Sequence, residues 1–174
     1  MVSETSTLYK LMILYMLKRV NFSLSYVQMS DFFLEKSYTD YFKLQEVVSE
    51  LQEASLICKE TVRNTSLYEM TNEGKEVLYY FENKLSDAVK KDIDEYLEVN
   101  RFELRKENSI LSDFYKVSIN DYEVCCEVRE GKQKLIELKM LVPTDEAAEQ
   151  MCEEWQKKSH EIYDYLLHTL LDKK

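Results

Sequence analysis

Two glycines and one proline in 174 residues leave this chain few ways to stop, bend or loop. Glycine supplies left-handed backbone and close approach, and proline ends regular structure. A chain short of both cannot carry long irregular loops, and it has no glycine-rich loop to cradle a phosphate. It must be built of helices and a few strands joined by short polar turns. Hydrophobic residues make up 45% of it, enough for a packed core, which excludes a disordered chain. The length suits one larger domain or two small ones.

Apolar spacing places the elements. Leu8, Leu11, Met12, Tyr15 and Met16 recur at three and four residues, predicting a first helix with one apolar face to about Arg19, capped by Thr5 or Ser6. Asn21-Phe22-Ser23-Leu24 reads as a turn or a one-bridge strand. Ser25 with Gln28 has capping-box spacing and opens a second helix to about Lys36-Ser37, with Val27, Phe32 and Phe33 as its apolar bulk. Thr39 caps a third helix, from Asp40 to about Ala54. On a wheel Tyr41, Leu44, Val47, Val48 and Leu51 share one side, and Tyr38, Phe42, Gln45, Glu46 and Ser49 the other. Leu56–Val62 and Leu67–Met70 are strand-like, with polar Arg63-Asn64-Thr65-Ser66 as hairpin chemistry between them. Thr71 caps a fourth helix to about Leu85.

A domain boundary is expected near Leu85, giving units 1–85 and 86–174. A helix restarts at Ser86 or Asp87 through Val89, Ile93, Tyr96 and Leu97. Ile110–Ile119, Tyr122–Arg129 and Leu135–Val142 then read as an antiparallel meander with one face buried, turning at Glu130-Gly131-Lys132. Pro143 stops the last strand. Thr144 or Asp145 caps a long helix with the stripe Ala148, Met151, Trp155, Ile162, Leu166 and Leu170.

The net charge of −10 argues at first sight against a nucleic-acid partner. Its distribution softens that: residues 1–75 hold 8 Lys+Arg against 10 Asp+Glu, and residues 76–174 hold 15 against 23. The polar start Met1–Thr7 and the short apolar run Leu11–Leu17, ended by Lys18-Arg19, are not a signal peptide, and no stretch is long enough to span a membrane. The expected location is the cytoplasm. Cys58, Cys125, Cys126 and Cys152 show no C-x-x-C spacing and read as reduced, small core residues, so no zinc site and no cofactor are expected. His160 and His168, eight apart, read as solvent-exposed. No nucleophile, base and orienting group can be assembled, so an enzyme is not expected.

Three helices and a hairpin in about seventy residues are the layout of a winged helix-turn-helix, in which the third helix reads the major groove. The segment Leu67-Tyr68-Glu69-Met70-Thr71-Asn72-Glu73-Gly74 resembles the Y-x-L-T-x-E-G signature of PadR-type and MarR-type transcriptional regulators, with Met70 in the leucine place. The whole chain resembles a family of uncharacterised proteins of Gram-positive bacteria, a domain of unknown function considered a winged-helix regulator. Leu8-Tyr9-Lys10-Leu11, Tyr15-Met16-Leu17, Tyr38-Thr39-Asp40-Tyr41-Phe42, Arg63-Asn64-Thr65 and Trp155-Gln156-Lys157-Lys158-Ser159 carry that likeness. The expected fold is therefore α+β, an N-terminal winged helix-turn-helix followed by a helix, a three-stranded antiparallel sheet and a long final helix.

The expected DNA-contacting residues are Tyr38, Thr39, Phe42, Lys43, Gln45 and Ser49 around the third helix, and Arg63 and Asn64 at the wing. Gln45 can read adenine; Phe42 can touch a thymine methyl, or else tuck under the wing or a neighbouring subunit. Lys36, Lys43, Lys59, Arg63 and Asn64 read either as positioning contacts to phosphate or as ordinary solvated surface groups, with Arg63 at the wing tip the strongest candidate, and Glu46 opposes phosphate. The expected partners are DNA, a second copy through the last helix, and an unidentified small-molecule effector. The competing readings are a winged-helix adaptor that binds protein and, weakest, an enzyme built on the C-terminal sheet.

Overall fold

The computed structural model describes residues 4–171. Among them, six α-helices and two three-stranded antiparallel sheets make an α+β chain. It divides into two compact units, residues 1–105 and 106–174.

The first unit runs α1 (Glu4–Val20), β1 (Leu24–Ser25), α2 (Tyr26–Glu35), α3 (Tyr41–Glu53), β2 (Ile57–Val62), β3 (Thr65–Met70), α4 (Asn72–Phe81), a 3-10 turn (Glu82–Lys84) and α5 (Asp87–Ser109) as far as Arg105. The helix α1 is not the one-faced helix of the wheel: Leu11 to Leu17 are buried without interruption. It is packed by α3, α4, β3 and the 3-10 turn, and a helix enclosed on all sides is apolar all round. Thr5 and Ser6 lie inside α1 rather than capping it. Residues 1–3 of the polar start lie outside the described residues.

Ser25 and Gln28 close the capping box on α2, and the Gln28 amide also donates to the Leu104 carbonyl at 3.1 Å. Phe32 and Phe33 are fully buried, while Val27 is 61% exposed and adds nothing to the core. Scarce glycine leaves its mark at the helix ends. Both α2 and α3 stop in Schellman motifs whose left-handed residue is a serine, Ser37 at φ 56° and Ser55 at φ 58°. The amides of Tyr38 and Leu56 reach back to the carbonyls of Phe33 and Leu51, both at 2.9 Å.

β1 pairs with β3, which pairs with β2, so the sheet order is β1-β3-β2. Val62 faces Thr65, leaving Arg63 (φ 48°) and Asn64 (φ 62°) as a two-residue turn with both residues left-handed, a type I′ hairpin. Thr71 caps α4 by accepting from the Gly74 amide at 3.0 Å. Ile93, Tyr96, Leu97 and Leu104 of α5 are buried in the same core as α1 and α2. The first unit therefore reaches Arg105, beyond the division expected near Leu85.

The second unit holds β4 (Ile110–Lys116), β5 (Tyr122–Glu130), β6 (Gln133–Val142) and α6 (Asp145–Leu171), with strand order β4-β5-β6. Alternation puts Val124, Cys126 and Val128 under α6, where they meet Ala148 and Trp155. The Trp155 indole donates to the Glu127 carbonyl at 3.3 Å, and the Gln156 amide to the Ile110 carbonyl at 3.0 Å. Thr144 caps α6. The expected strand to Ile119 ends at Lys116, because the Asp121 carbonyl takes the amides of Val117 and Ser118 in a turn. Cys125 and Cys126 are buried on opposite faces of β5 and Cys152 is half-buried, whereas Cys58 is exposed rather than in the core. The apolar stripe of α6 is half-buried at Ile162 and Leu166, but Leu170 is exposed, together with Tyr165, Leu167 and Leu171.

Candidate nucleic-acid interface

The sequence of α3 sorts its side chains into two faces. Leu44, Val47, Val48 and Leu51 are buried against α1 and its neighbours. Phe42, Gln45 and Ser49, three and four residues apart, form one exposed stripe. Phe42 is 80% exposed, so most of its apolar ring surface remains in water. Glu46 and Glu53 are exposed on the same helix.

Two of the expected contacts do not belong to that stripe. Tyr38 precedes α3, so the helical wheel does not carry its phase back to it. Its ring packs against Phe32 and Phe33, and its hydroxyl donates to the Asp92 carboxylate at 2.6 Å. Its carbonyl accepts from the Tyr9 hydroxyl at 2.5 Å. Tyr38 is thus turned inward, not outward. Thr39 does not cap α3; Asp40 does, accepting from the Lys43 amide at 2.9 Å. Tyr41, expected in the core, is 45% exposed. It sits edge-on to both Tyr26 and Phe42, and its carbonyl accepts from the Tyr26 hydroxyl at 2.7 Å. One residue of phase at the start of α3 separates these outcomes, and no pattern in the sequence marks it.

The charges are mostly spent locally. Lys43 pairs with Glu46 at 2.8 Å, which holds its ammonium above the usual lysine range. Lys10 and Ser6 hold Glu50 at 2.7 and 3.1 Å, and its carboxyl below the usual range. The outer face of α3 is therefore neutral to acidic. Among the basic groups, Lys36 ahead of α3 and Lys59 on β2 are exposed, Arg63 at the hairpin turn is half-buried, and Asn64 beside it is exposed. Arg63 holds a left-handed backbone that arginine adopts at a cost, so the hairpin fixes its position firmly.

The phenols around α3 predict an alkaline signature. Burial pushes both Tyr26 and Tyr38 up to about 12, and the hydrogen bond to Asp92 adds to the effect on Tyr38. A raised phenol binds its proton more tightly when folded. Its contribution is complete below the ordinary value of 10 and is lost as pH rises through about 12. Tyrosinate absorbance should show late-titrating groups in the native protein, with stability falling in step. Tyr38→Phe should remove part of that fall; an unchanged curve would contradict the role given to Tyr38.

Among the described residues no three or more His, Cys, Asp or Glu side chains are grouped to hold a metal ion. No helix of the described residues is long and apolar enough to cross a membrane. Compared with known proteins, residues 9–170 match the family model described as a domain of unknown function, DUF4364. No curated protein and no solved structure matches.

Proposed function

The chain belongs to the DUF4364 family, and on that premise we propose that it is a cytoplasmic, homodimeric transcriptional regulator whose N-terminal unit is a DNA-binding winged helix-turn-helix. The observation that carries this reading is the sheet order β1-β3-β2. The short strand ahead of α2 pairs into the hairpin that follows α3, so α2 and α3 are clasped as a pair while the Arg63-Asn64 turn is left at the hairpin's far end. This clasp supports a reading in which a braced second helix presents a third to the major groove and a wing touches the backbone.

In this reading Phe42, Gln45 and Ser49 face the bases, while Lys43, Arg63 and Asn64 meet the backbone. The apolar end of α6 is the contact for a second copy, which a two-fold operator calls for. The experiment is a genome-wide DNA pull-down, followed by titration of a recovered fragment with protein whose scattering mass is that of two chains. Gln45→Ala should cost roughly 1–3 kcal/mol at one base position and little elsewhere. Arg63→Ala should weaken all sequences alike and lower the salt slope by about one. Failure to retard any fragment of its own genome at low salt would sink the regulator reading.

A second reading has its own support. Phe42, Tyr41 and Val27 are exposed near the start of α3 and α2, and Glu46 and Glu53 oppose phosphate. An adaptor that buries Phe42 in a protein partner would use the same surface. It is favoured if Phe42→Ala abolishes a protein complex while no DNA is ever bound.

A further inference from the structure

A cleft of about 360 Å³ opens in the first unit, away from the exposed stripe of α3. Its apolar walls are Leu17 and Phe22 from the end of α1 and the turn after it, Met70 from β3, and Leu78 and Tyr79 from α4. The volume is at the lower end of what small ligands occupy. Tyr79 stands 81% exposed at this cleft, its ring touched edge-on by Tyr80 with centroids 5.5 Å apart.

The polar lining is unequal. Lys18 is engaged by Glu82 at 2.8 Å, and that pair holds the Glu82 carboxyl below its usual range. Lys75 makes no ion pair among the described residues, and the Asn21 side-chain amide makes no hydrogen bond there. Asn21 is held at φ 59° by the end of α1, with its backbone amide donating to the Leu17 carbonyl at 3.3 Å. Glu69 is a carboxylate at the same rim and repels a multiply charged anion. One uncommitted ammonium, one uncommitted amide, five apolar walls and a nearby carboxylate together select a single negative charge on an apolar body.

We propose that this cleft binds a small hydrophobic monocarboxylate, with Lys75 and Asn21 on the carboxylate and Leu17, Phe22, Leu78 and Tyr79 around the apolar body. The cleft touches the root of the hairpin. Met70 pairs with Ile57 and Glu69 with Cys58, and the same two strands end in the Arg63-Asn64 turn. Asn21 and Phe22 lead directly into β1, which pairs with β3. A bound ligand joins α1, β3 and α4 and so stiffens the hairpin from its base. That consequence for DNA rests on the regulator reading; the binding itself does not.

The test uses the full chain and equilibrium dialysis with 2-naphthoate and its neutral counterpart 2-naphthylmethanol. Naphthoate should bind about tenfold or more tightly than the alcohol, as a charge-assisted hydrogen bond provides. Lys75→Met should erase that preference, and Tyr79→Ala should weaken both probes. Equal binding of the two probes, a preference that survives Lys75→Met, or no binding of either would overturn the proposal. Both mutated side chains are solvent-exposed, so folding is not at stake. Naphthoate binding without any DNA retardation would leave the site standing and remove the regulator reading. Retarded DNA with no naphthoate binding would do the reverse.

Discussion

Gly74→Ala is expected to cost the first unit about 3 kcal/mol, and to lower its thermal midpoint by on the order of 12–24 °C. Gly74 lies in the first turn of α4 with an ordinary helical backbone, so conformational freedom is not what it supplies. It supplies space. A Cβ there would stand 2.2 Å from the Leu56 carbonyl oxygen and 2.9 Å from Met70 Cγ. The carbonyl cannot turn aside, because it accepts the Thr71 amide at 3.1 Å and the Leu56 amide closes the Schellman motif of α3. The Thr71 hydroxyl meanwhile donates to the Ser55 carbonyl at 2.7 Å. Relief of the clash therefore means moving α4 off the turn between α3 and β2. A thermal or urea melt followed by circular dichroism reads the effect. A midpoint within about 3 °C of the parent would show that the turn gives way more easily than these bonds allow.

Phe32→Ala should remove about 3–5 kcal/mol from the same unit. Phe32 is fully buried, with ring centroids 5.3 Å from Phe33, 5.8 Å from Tyr38 and 5.2 Å from Tyr96. Its removal opens a void where α2, the entry to α3, and α5 meet. Phe32→Leu, which refills most of the volume, should recover more than half of the loss. Urea midpoints of the three proteins decide it: if the alanine and leucine variants are equally stable, ring packing is not what joins α5 to the helices before it.

Much of the fold was legible because its signals are local. The capping box at Ser25 and Gln28, the cap at Thr71 and the alternation through Tyr122–Val128 each depend on neighbours in sequence. The errors arise where a distant partner decides. Tyr38 turns inward because Asp92, far along the chain, takes its hydroxyl. The division falls late because α5 has its own apolar stripe at Ile93, Tyr96, Leu97 and Leu104, which needs the first core. The continuous burial of Leu11–Leu17 reflects neighbours on every side, which a one-faced wheel cannot anticipate. The signature ending at Gly74 was readable as a cap, but the close approach to Leu56 that requires glycine was not. The candidate interface was half legible: the stripe of Phe42, Gln45 and Ser49 and the turn at Arg63-Asn64 follow from period and turn chemistry. The cleft beside Tyr79 draws on three separated segments and leaves no pattern in any of them.

Trp155 is the chain's single tryptophan, and it is buried where α6 meets β5. Nine of the 13 tyrosines, by contrast, lie within residues 1–105. The protein thus carries a separate optical reporter for each unit. Red-edge excitation lights only the sheet and its covering helix, while tyrosine emission is weighted toward the helices that precede them. Following both channels through one denaturation reveals whether the units melt as one cooperative body or in succession, without attaching a dye or cutting the chain.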